Sequence, residues 1–450
     1  MLTDWAYQEF SHSKLWDVRC IHTMIQTCTA FAEHPESAFS AVLKGKRKAV
    51  SRILHDKRST PVNLLESHVI ATVHRSTRHS LILIASDTTS FNFNTHEACQ
   101  GLGEIGSHGH KGFQTHSAIA ISPEGVPLGL LHQSSWAREA SALTAAEKKK
   151  LPYEEKESYK WLEALRAVED ALPETQQAIL IQDREGDIFE FISAERKDNI
   201  HLLIRAAHPR KIVVKEKGEP HTLFDSVASA PVAGYREVEV RARPDREARK
   251  AKLTVRFKEV EICAPKNVVG AIVPTVKLWV VRAIEETPPL GVKEPIDWIL
   301  LSTRPINNFQ EASTMLDYYV KRWLIERFHF VLKSGCKFER LQMDKFMTLE
   351  KALSLYSIVA WRLLSITYIV RVNPDGWPQE AISDIEQTVL ERITGKKIKN
   401  IRDALLAIAS LAGFVSVPSA PMPGVKVIWR GYNMLHNLVV GFKLNRLPDP

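Results

Sequence analysis

Glu311–Gly335 reads EASTMLDYYVKRWLIERFHFVLKSG. Tyr319, Arg322, Glu326 and Lys333 stand at offsets of 0, 3, 7 and 14. At roughly 100° per residue they fall within about 60° of one another on one helical face. That face carries one carboxylate, two cations and a phenol. Leu316, Val320, Leu324, Phe328, Val331 and Leu332 supply an apolar side that docks the helix on a core. A docked helix with such a stripe presents it to a charged partner. The bland alternative is a solvated face with an Arg322–Glu326 pair at i,i+4 spacing. The chain on either side of the helix decides between them.

Upstream, Leu81-Ile82-Leu83-Ile84-Ala85 is a continuous apolar run, expected to be a strand buried on both faces and to end at Asp87. His116–Ile121 and Val126–Leu131, joined by Pro123-Glu124-Gly125, read as an antiparallel hairpin. Ala178–Ile181 is a second buried strand, ending at Gln182-Asp183, and Ile200–Ile204 is a third. Open α/β sheets carry their sites at the carboxyl edge, so Asp87 and Asp183 can meet there despite their separation in sequence. Residues 207–305 form a β insertion, with alternating patterns around Val238 and Val255, a further strand at Val276–Ile284, and the charged turn Arg241–Lys252. Trp298 opens the last strand before the helix. Asn373–Pro378 is the clearest linker, and the tail beyond it is helical, with apolar stretches at Ala404–Val415 and Met434–Phe442.

At 450 residues the chain has room for two or three domains, and 44% apolar with 25% charged residues is ordinary globular composition. A net charge of +8 and a pI near 9.1 suit a polyanionic partner. Residues 1–65 read as a helical module whose basic run Lys44, Lys46, Arg47 and Lys48 gives it a DNA-binding footprint, or else a solvated basic helix. The five cysteines form no CxxC pair, so no disulfide framework or zinc site is expected and a reducing compartment fits. No secretory signal is visible. Ala352–Val370, interrupted by Arg362, reads as a buried helix and not a membrane span. Gly101, Gly103 and Gly106 match G-x-G-x-x-G, but no buried strand directly precedes them and no helix follows. A flexible connection is expected there, and no nucleotide cofactor. His108 and His110 lack partners at ligand spacing.

Asp87, Asp183 and Glu326 are the sharper constellation. Three converging carboxylates repel one another unless divalent cations neutralise them, and an all-oxygen set suits Mg²⁺ or Mn²⁺. Two such ions about 4 Å apart can serve phosphodiester chemistry. Arg322 and Lys333 would then bind phosphates. A lone Asp at a strand end is more often a turn cap.

The spacing Tyr-x2-Arg-x3-Glu-x6-Lys resembles the signature of bacterial DDE transposases of the insertion-sequence-four family. SDTTS (Ser86–Ser90), LGLLHQSSW (Leu128–Trp136), ESYKW (Glu157–Trp161), QDREGDI (Gln182–Ile188), HPRK (His208–Lys211) and DWILLS (Asp297–Ser302) resemble that family in order. The resemblance implies an α/β fold: a ribonuclease H-like catalytic core over residues 66–372 with the β insertion. A helical transposon-end-binding domain (1–65) and a helical dimerisation domain (373–450) would flank it. It implies Asp87, Asp183 and Glu326 as the metal-binding triad, with Asp187 the rival for the second position. Tyr319, Arg322 and Lys333 would hold phosphates, Arg210 of the HPRK motif would touch DNA, and Trp298 would stack on a flipped base. The implied activity is cut-and-paste transposition: nicking, hairpin formation, hairpin opening and 3′-hydroxyl attack on target DNA. A homodimer would act on transposon-end and target DNA in a bacterial cytoplasm, at the nucleoid. A nuclease with the same core and no strand transfer, and a non-catalytic regulator, are the alternatives. The tail and Trp298 speak against the first, the complete acid set against the second.

Overall fold

The computed structural model of the chain describes residues 5–34, 39–106, 109–139, 144–214, 220–240, 247–266, 273–417 and 422–444. The fold is mixed α/β. The amino-terminal helices are α1 (Trp5–Phe10), α2 (Val18–Glu33), α3 (Phe39–Leu43), α4 (Arg47–His55) and α5 (Pro61–Ser76). Then come β1 (Leu81–Asn92), β2 (Gly103–Ile105), β3 (His110–Ile121), β4 (Pro127–Trp136), α6 (Ala145–Lys150), α7 (Lys160–Ala171) and β5 (Gln177–Gln182). α8 (Phe189–Ser193), β6 (Ile200–Arg205), α9 (Leu223–Ala228), β7 (Val232–Val240), β8 (Arg249–Cys263), β9 (Thr275–Ile284) and β10 (Asp297–Ser302) follow. The chain closes with α10 (Phe309–Val320), α11 (Trp323–Phe330), α12 (Phe346–Val372), α13 (Asp384–Thr394), α14 (Ile401–Leu411) and α15 (Val425–Leu444). Two compact units divide it: Met1–His79, Thr88–Ser141 and Leu324–Pro450 in one, Ser80–Asp87 and Ala142–Trp323 in the other.

In the second unit the start of β1 pairs in parallel with β5, and β5 in parallel with β6. Leu81–Ala85 and Ala178–Ile181 are buried, as continuous apolar runs demand of parallel strands. β10 runs antiparallel to both β6 and β9, and β9, β8 and β7 form the antiparallel insertion. Of the charged turn Arg241–Lys252, residues 241–246 lie outside the described residues, and Arg249 already begins β8. β1 does not end at Asp87 but continues to Asn92.

In the first unit that continuation lies beside β3, and β3 pairs with β4 through a turn in which Gly125 takes φ +107°. The expected flexible connection holds β2, paired with β3. Gly103 is packed so tightly that a Cβ there would lie 2.1 Å from the Arg138 carbonyl oxygen. His108 lies outside the described residues; His110 opens β3 and is exposed. α12 is long and apolar enough to cross a membrane, but 83% of its most apolar window is buried inside the protein. Capping boxes start α5 at Thr60/Asn63 and α13 at Ser383/Glu386. The end of α12 packs with α13, α14 and α15 around Ile366, Leu390, Leu405, Ile408 and Leu435. The apolar face of α14, expected as dimer contact, therefore lies in this protomer's own core. Met434 and Leu438 of α15 remain exposed, at 48% and 41%.

A buried polar network joins α1 and α5 to β4. Glu9 accepts from His68 Nδ1 at 2.6 Å and from Arg75 Nη1 at 2.6 Å, while the Leu130 N–H donates to His68 Nε2 at 3.0 Å. The His68 ring is therefore neutral, and Arg75 is the cation. Arg75 also donates to the Leu128 carbonyl at 2.6 Å and lies over the Trp361 ring at 4.2 Å. A Cβ on Gly129 would meet the Thr72 hydroxyl at 1.9 Å, so a glycine in LGLLHQ lets β4 approach α5.

Burial alone would push the Glu9 carboxyl up, but its hydrogen bonds from His68 and Arg75 and the Arg75 charge hold it below the usual carboxylate range. Burial lowers the His68 pKa against the pull of Glu9, and burial with Lys333 nearby lowers His329 to about 3. Protons then favour the unfolded chain below its imidazole pKa of about 6.5. Stability should fall as pH drops through 6.5, with a further loss below about 4.5 as Glu9 is protonated on unfolding. Urea melts from pH 7 to 4 test this, and a flat profile contradicts it. At pH 7, Glu9→Ala should cost about 3–5 kcal/mol by leaving Arg75 without its carboxylate.

Candidate active site

The register of β1 on β5 pairs Ala85 with Ile181, an offset of 96 residues. Asp87 and Asp183 are separated by the same 96, so continuing that register two residues past its last pair would bring the two aspartates level. β6 continues the row. Gln182 pairs with Ile204, so Arg205 stands level with Asp183 on the next strand. One rung below the acids, Ser86 and Gln182 are both fully buried and hydrogen-bonded, with the Gln182 amide oxygen accepting from the Ser86 hydroxyl at 2.8 Å.

The QDREGDI segment sorts its two aspartates. Asp183 caps the short 3₁₀ turn Arg184–Gly186 by accepting the Glu185 N–H at 2.8 Å, and remains partly exposed. Gly186 folds back over Gln182, where a Cβ would meet the Gln182 Cβ at 2.7 Å. The turn carries Asp187 inward to 3% exposure. There it accepts the Ala207 and His208 N–H groups at 2.7 and 3.0 Å and Arg210 Nε and Nη2 at 2.9 and 2.6 Å. Asp187 is thus saturated in a buried ion pair. Arg210 is corrected with it: its guanidinium is buried on Asp187 and does not face a DNA surface.

The helix of the Tyr-Arg-Glu-Lys stripe is also corrected. It is not continuous. α10 ends at Val320, α11 begins at Trp323, and Val331–Gly335 is a π-turn in which the Cys336 N–H donates to the Val331 carbonyl at 2.8 Å. Val320, expected in the core, is 47% exposed, and Tyr319, expected on the presented face, is 6% exposed. Trp298 of β10 meets the Tyr319 ring edge-on, with centroids 5.5 Å apart. Burial raises the Tyr319 pKa, against the pull of nearby Arg322 and Arg205. Arg322 Nη1 stands 3.8 Å from Asp87 Oδ2.

Asp87, Asp183, Tyr319, Arg322 and Arg205 therefore share one corner of the second unit. Beside it lies a cleft of about 1140 Å³ whose lining includes Trp298 and mixes the cations Arg184, Arg205, Arg236 and Lys321 with the carboxylates of Glu237, Glu239, Glu294, Asp297 and Asp317. Arg205 went unassigned in the sequence, although its position at the end of the third buried strand carries the same edge signal as the aspartates. Lys160 of ESYKW lies 3.9 Å from Glu185, so that motif meets the 3₁₀ turn.

Glu326 and Lys333 belong to the first unit. Glu326 is exposed on α11. Lys333 Nζ lies 5.6 Å from the Phe91 ring centroid, and burial lowers its pKa. Among the described residues no group of three His, Cys, Asp or Glu stands close enough to hold a metal ion. Asp87 within β1 and Asp183 just after β5 offer the oxygen donors that Mg²⁺ or Mn²⁺ prefers, so the pair fits such an ion, completed by further oxygen ligands. In the basic amino-terminal segment, Lys46, Arg47 and Lys48 are exposed, while Val50, Ile53 and Leu54 anchor α4. Lys44 lies with Lys46 in the 3₁₀ turn before α4.

No family model matches the chain. A solved piggyBac transposase synaptic complex with hairpin DNA is similar at a TM-score of 0.35 and 10% identity, over 100% of this chain and 79% of that one. A likeness of that size fixes neither fold nor activity.

The two aspartates of QDREGDI should separate on mutation. Arg210→Ala or Asp187→Ala should destabilise the fold by about 3–5 kcal/mol, because each leaves a buried charge unpaired. Asp183→Asn, at a partly exposed turn cap, should cost about 1 kcal/mol or less. Chemical denaturation of the three variants reads the difference, and equal losses would contradict the assignment.

Proposed function

We propose that the chain is a DDE transposase that cuts its element's ends and joins them to target DNA. The observation that carries this reading is the parallel register of β1 on β5, which runs toward Asp87 and Asp183, with Arg322 3.8 Å from Asp87. The neighbours β4-β3-β1 in one unit and β1-β5-β6 in the other support the ribonuclease H-like core that the ordered motifs imply. In this reading Asp87, Asp183 and Glu326 hold divalent Mg²⁺, which would supply an activated hydroxyl and neutralise charge on the leaving oxygen. Arg322, Lys333 and Tyr319 hold phosphates flanking the cut. Arg205, level with Asp183, adds a cation on the same edge. Trp298 offers an extruded base an aromatic surface in the lining of the cleft, which holds both arginines and carboxylates. The basic face of α4 reads as the end-binding surface, and the exposed stripe of α15 at Met434 and Leu438 as the dimer contact. A nuclease without strand transfer is the second reading, and Trp298 in the lining of the cleft argues against it.

The test incubates the protein with Mg²⁺, its element's terminal repeats and a supercoiled target. Wild type should give joined products, and cleavage without joining would favour the nuclease. Asp87→Ala, Asp183→Ala and Glu326→Ala should each lower nicking by at least about 10³-fold, roughly 4 kcal/mol of barrier, while end binding persists. Retained cleavage in any one removes that residue from the set. Trp298→Ala should spare the first nick but slow hairpin formation by about 5- to 150-fold, the loss of 1–3 kcal/mol of stacking. An abasic nucleotide at the flipped position should restore part of that rate.

A further inference from the structure

Far along the chain from these acids, the first unit holds a cavity of about 350 Å³ walled by α1, α2, α12, α13 and α15. Its volume is within the range of small-ligand sites. Trp5, Glu33, Arg362, Glu386, Tyr432 and His436 give it its chemistry.

Arg362 projects from the middle of the buried helix α12. Its guanidinium carries five donors, and its one hydrogen bond among the described residues runs from Nη2 to the Glu380 carbonyl at 3.2 Å. The Trp5 ring lies 5.8 Å away. Surrounding protein lowers the pKa of the group, although part of its surface stays open onto the cavity. Glu9 and Glu386 offset part of its charge, and a half-buried guanidinium with one weak acceptor still has donors for a further one.

The other polar groups of the wall have partners. The Tyr432 hydroxyl donates to the Ala381 carbonyl at 2.6 Å. Glu386 accepts the Ser383 N–H and hydroxyl, each at 2.7 Å. Glu33 lies 3.4 Å from His436 Nδ1. Glu380 accepts the Trp377 N–H at 3.2 Å. These carboxylates line the same cavity as the Arg362 guanidinium. A simple anion would meet three carboxylates there, and a simple cation would meet Arg362. A ligand with both charges suits the lining.

We propose that this cavity binds an amino-acid-sized zwitterion, its carboxylate on the Arg362 guanidinium and its ammonium toward the Glu33 and Glu386 carboxylates. A planar carboxylate supplies the two parallel acceptors that the guanidinium fork matches. The site is independent of the transposase reading. It joins the amino-terminal helices to the carboxyl-terminal ones, so occupancy would stabilise the contact between them.

The experiment titrates the full chain with each of the twenty amino acids, following the thermal midpoint and ligand saturation-transfer NMR signals. At least one should raise the midpoint with half-saturation at millimolar concentration or below. Acetate alone and ethylammonium alone should each give less than a tenth of that shift. Arg362→Gln should weaken the binding at least tenfold. If that variant fails to fold, Glu33→Gln, at the more exposed part of the wall, should weaken it severalfold. Absence of any shift, a full shift with acetate or ethylammonium alone, or affinity unchanged in a folded variant would each overturn the proposal and leave a water-filled cavity.

Discussion

The parallel register of β1 on β5 is the constraint on which the candidate site depends. Slipping it by one residue would move one aspartate by about 3.3 Å and turn it to the other face of the sheet. Apolar burial alone does not forbid that slip, because both strands are apolar on both faces. The specific lock is the Ser86–Gln182 rung, a polar pair wholly out of water that is hydrogen-bonded in this register. Gly186 reinforces it by letting the following turn sit directly on Gln182. The small and polar residues beside the acids, in SDTTS and QDREGD, thus act by fixing where the acids stand.

That alignment creates an electrostatic problem. On strands about 4.8 Å apart, two carboxylates brought to roughly 5 Å would repel by on the order of 3 kcal/mol at an effective dielectric constant of about 20. Arg322 at 3.8 Å from Asp87 and Arg205 level with Asp183 offset part of it. Asp187, four residues beyond Asp183, has its charge cancelled by Arg210 within the fold. The short 3₁₀ turn therefore separates an acid that holds the structure together from one left at the edge.

Buried strands were the most legible feature of the sequence, because a run such as LILIA or AILI admits few other environments. The register that runs toward Asp87 and Asp183 was legible only as a shared edge, since strand register depends on a side-chain rung invisible in hydropathy. Helical periodicity misled between residues 319 and 323. It assumes an unbroken helix, whereas the chain breaks after Val320, burying Tyr319 beneath Trp298 and exposing Val320. Arg210 looked like a phosphate contact because charge alone does not reveal a partner 23 residues away in sequence. α14 looked like an interface because an apolar helix face carries no label saying which chain covers it.

Lys333 shows how burial and a neighbouring carboxylate can pull on one group in opposite directions. Burial lowers its pKa, and a neighbouring Glu339 carboxylate raises it. Its ammonium rests near the Phe91 ring, an attraction worth about 0.5–1 kcal/mol, well short of full hydration of the charge. Glu339 is itself anchored, accepting the Asn92 N–H at 2.8 Å at the end of β1. One turn back, His329 is neutral in the same surroundings, so the turn carries a single positive charge. A phosphate approaching that ammonium would replace missing solvation with a charge-assisted hydrogen bond and draw its pKa back up. A lysine under-solvated in this way gains more from an anion than one already fully hydrated at the surface. The π-turn Val331–Gly335 holds the backbone of that lysine against α15, where Gly335 leaves room for the Trp429 ring at 2.8 Å from the position a Cβ would take.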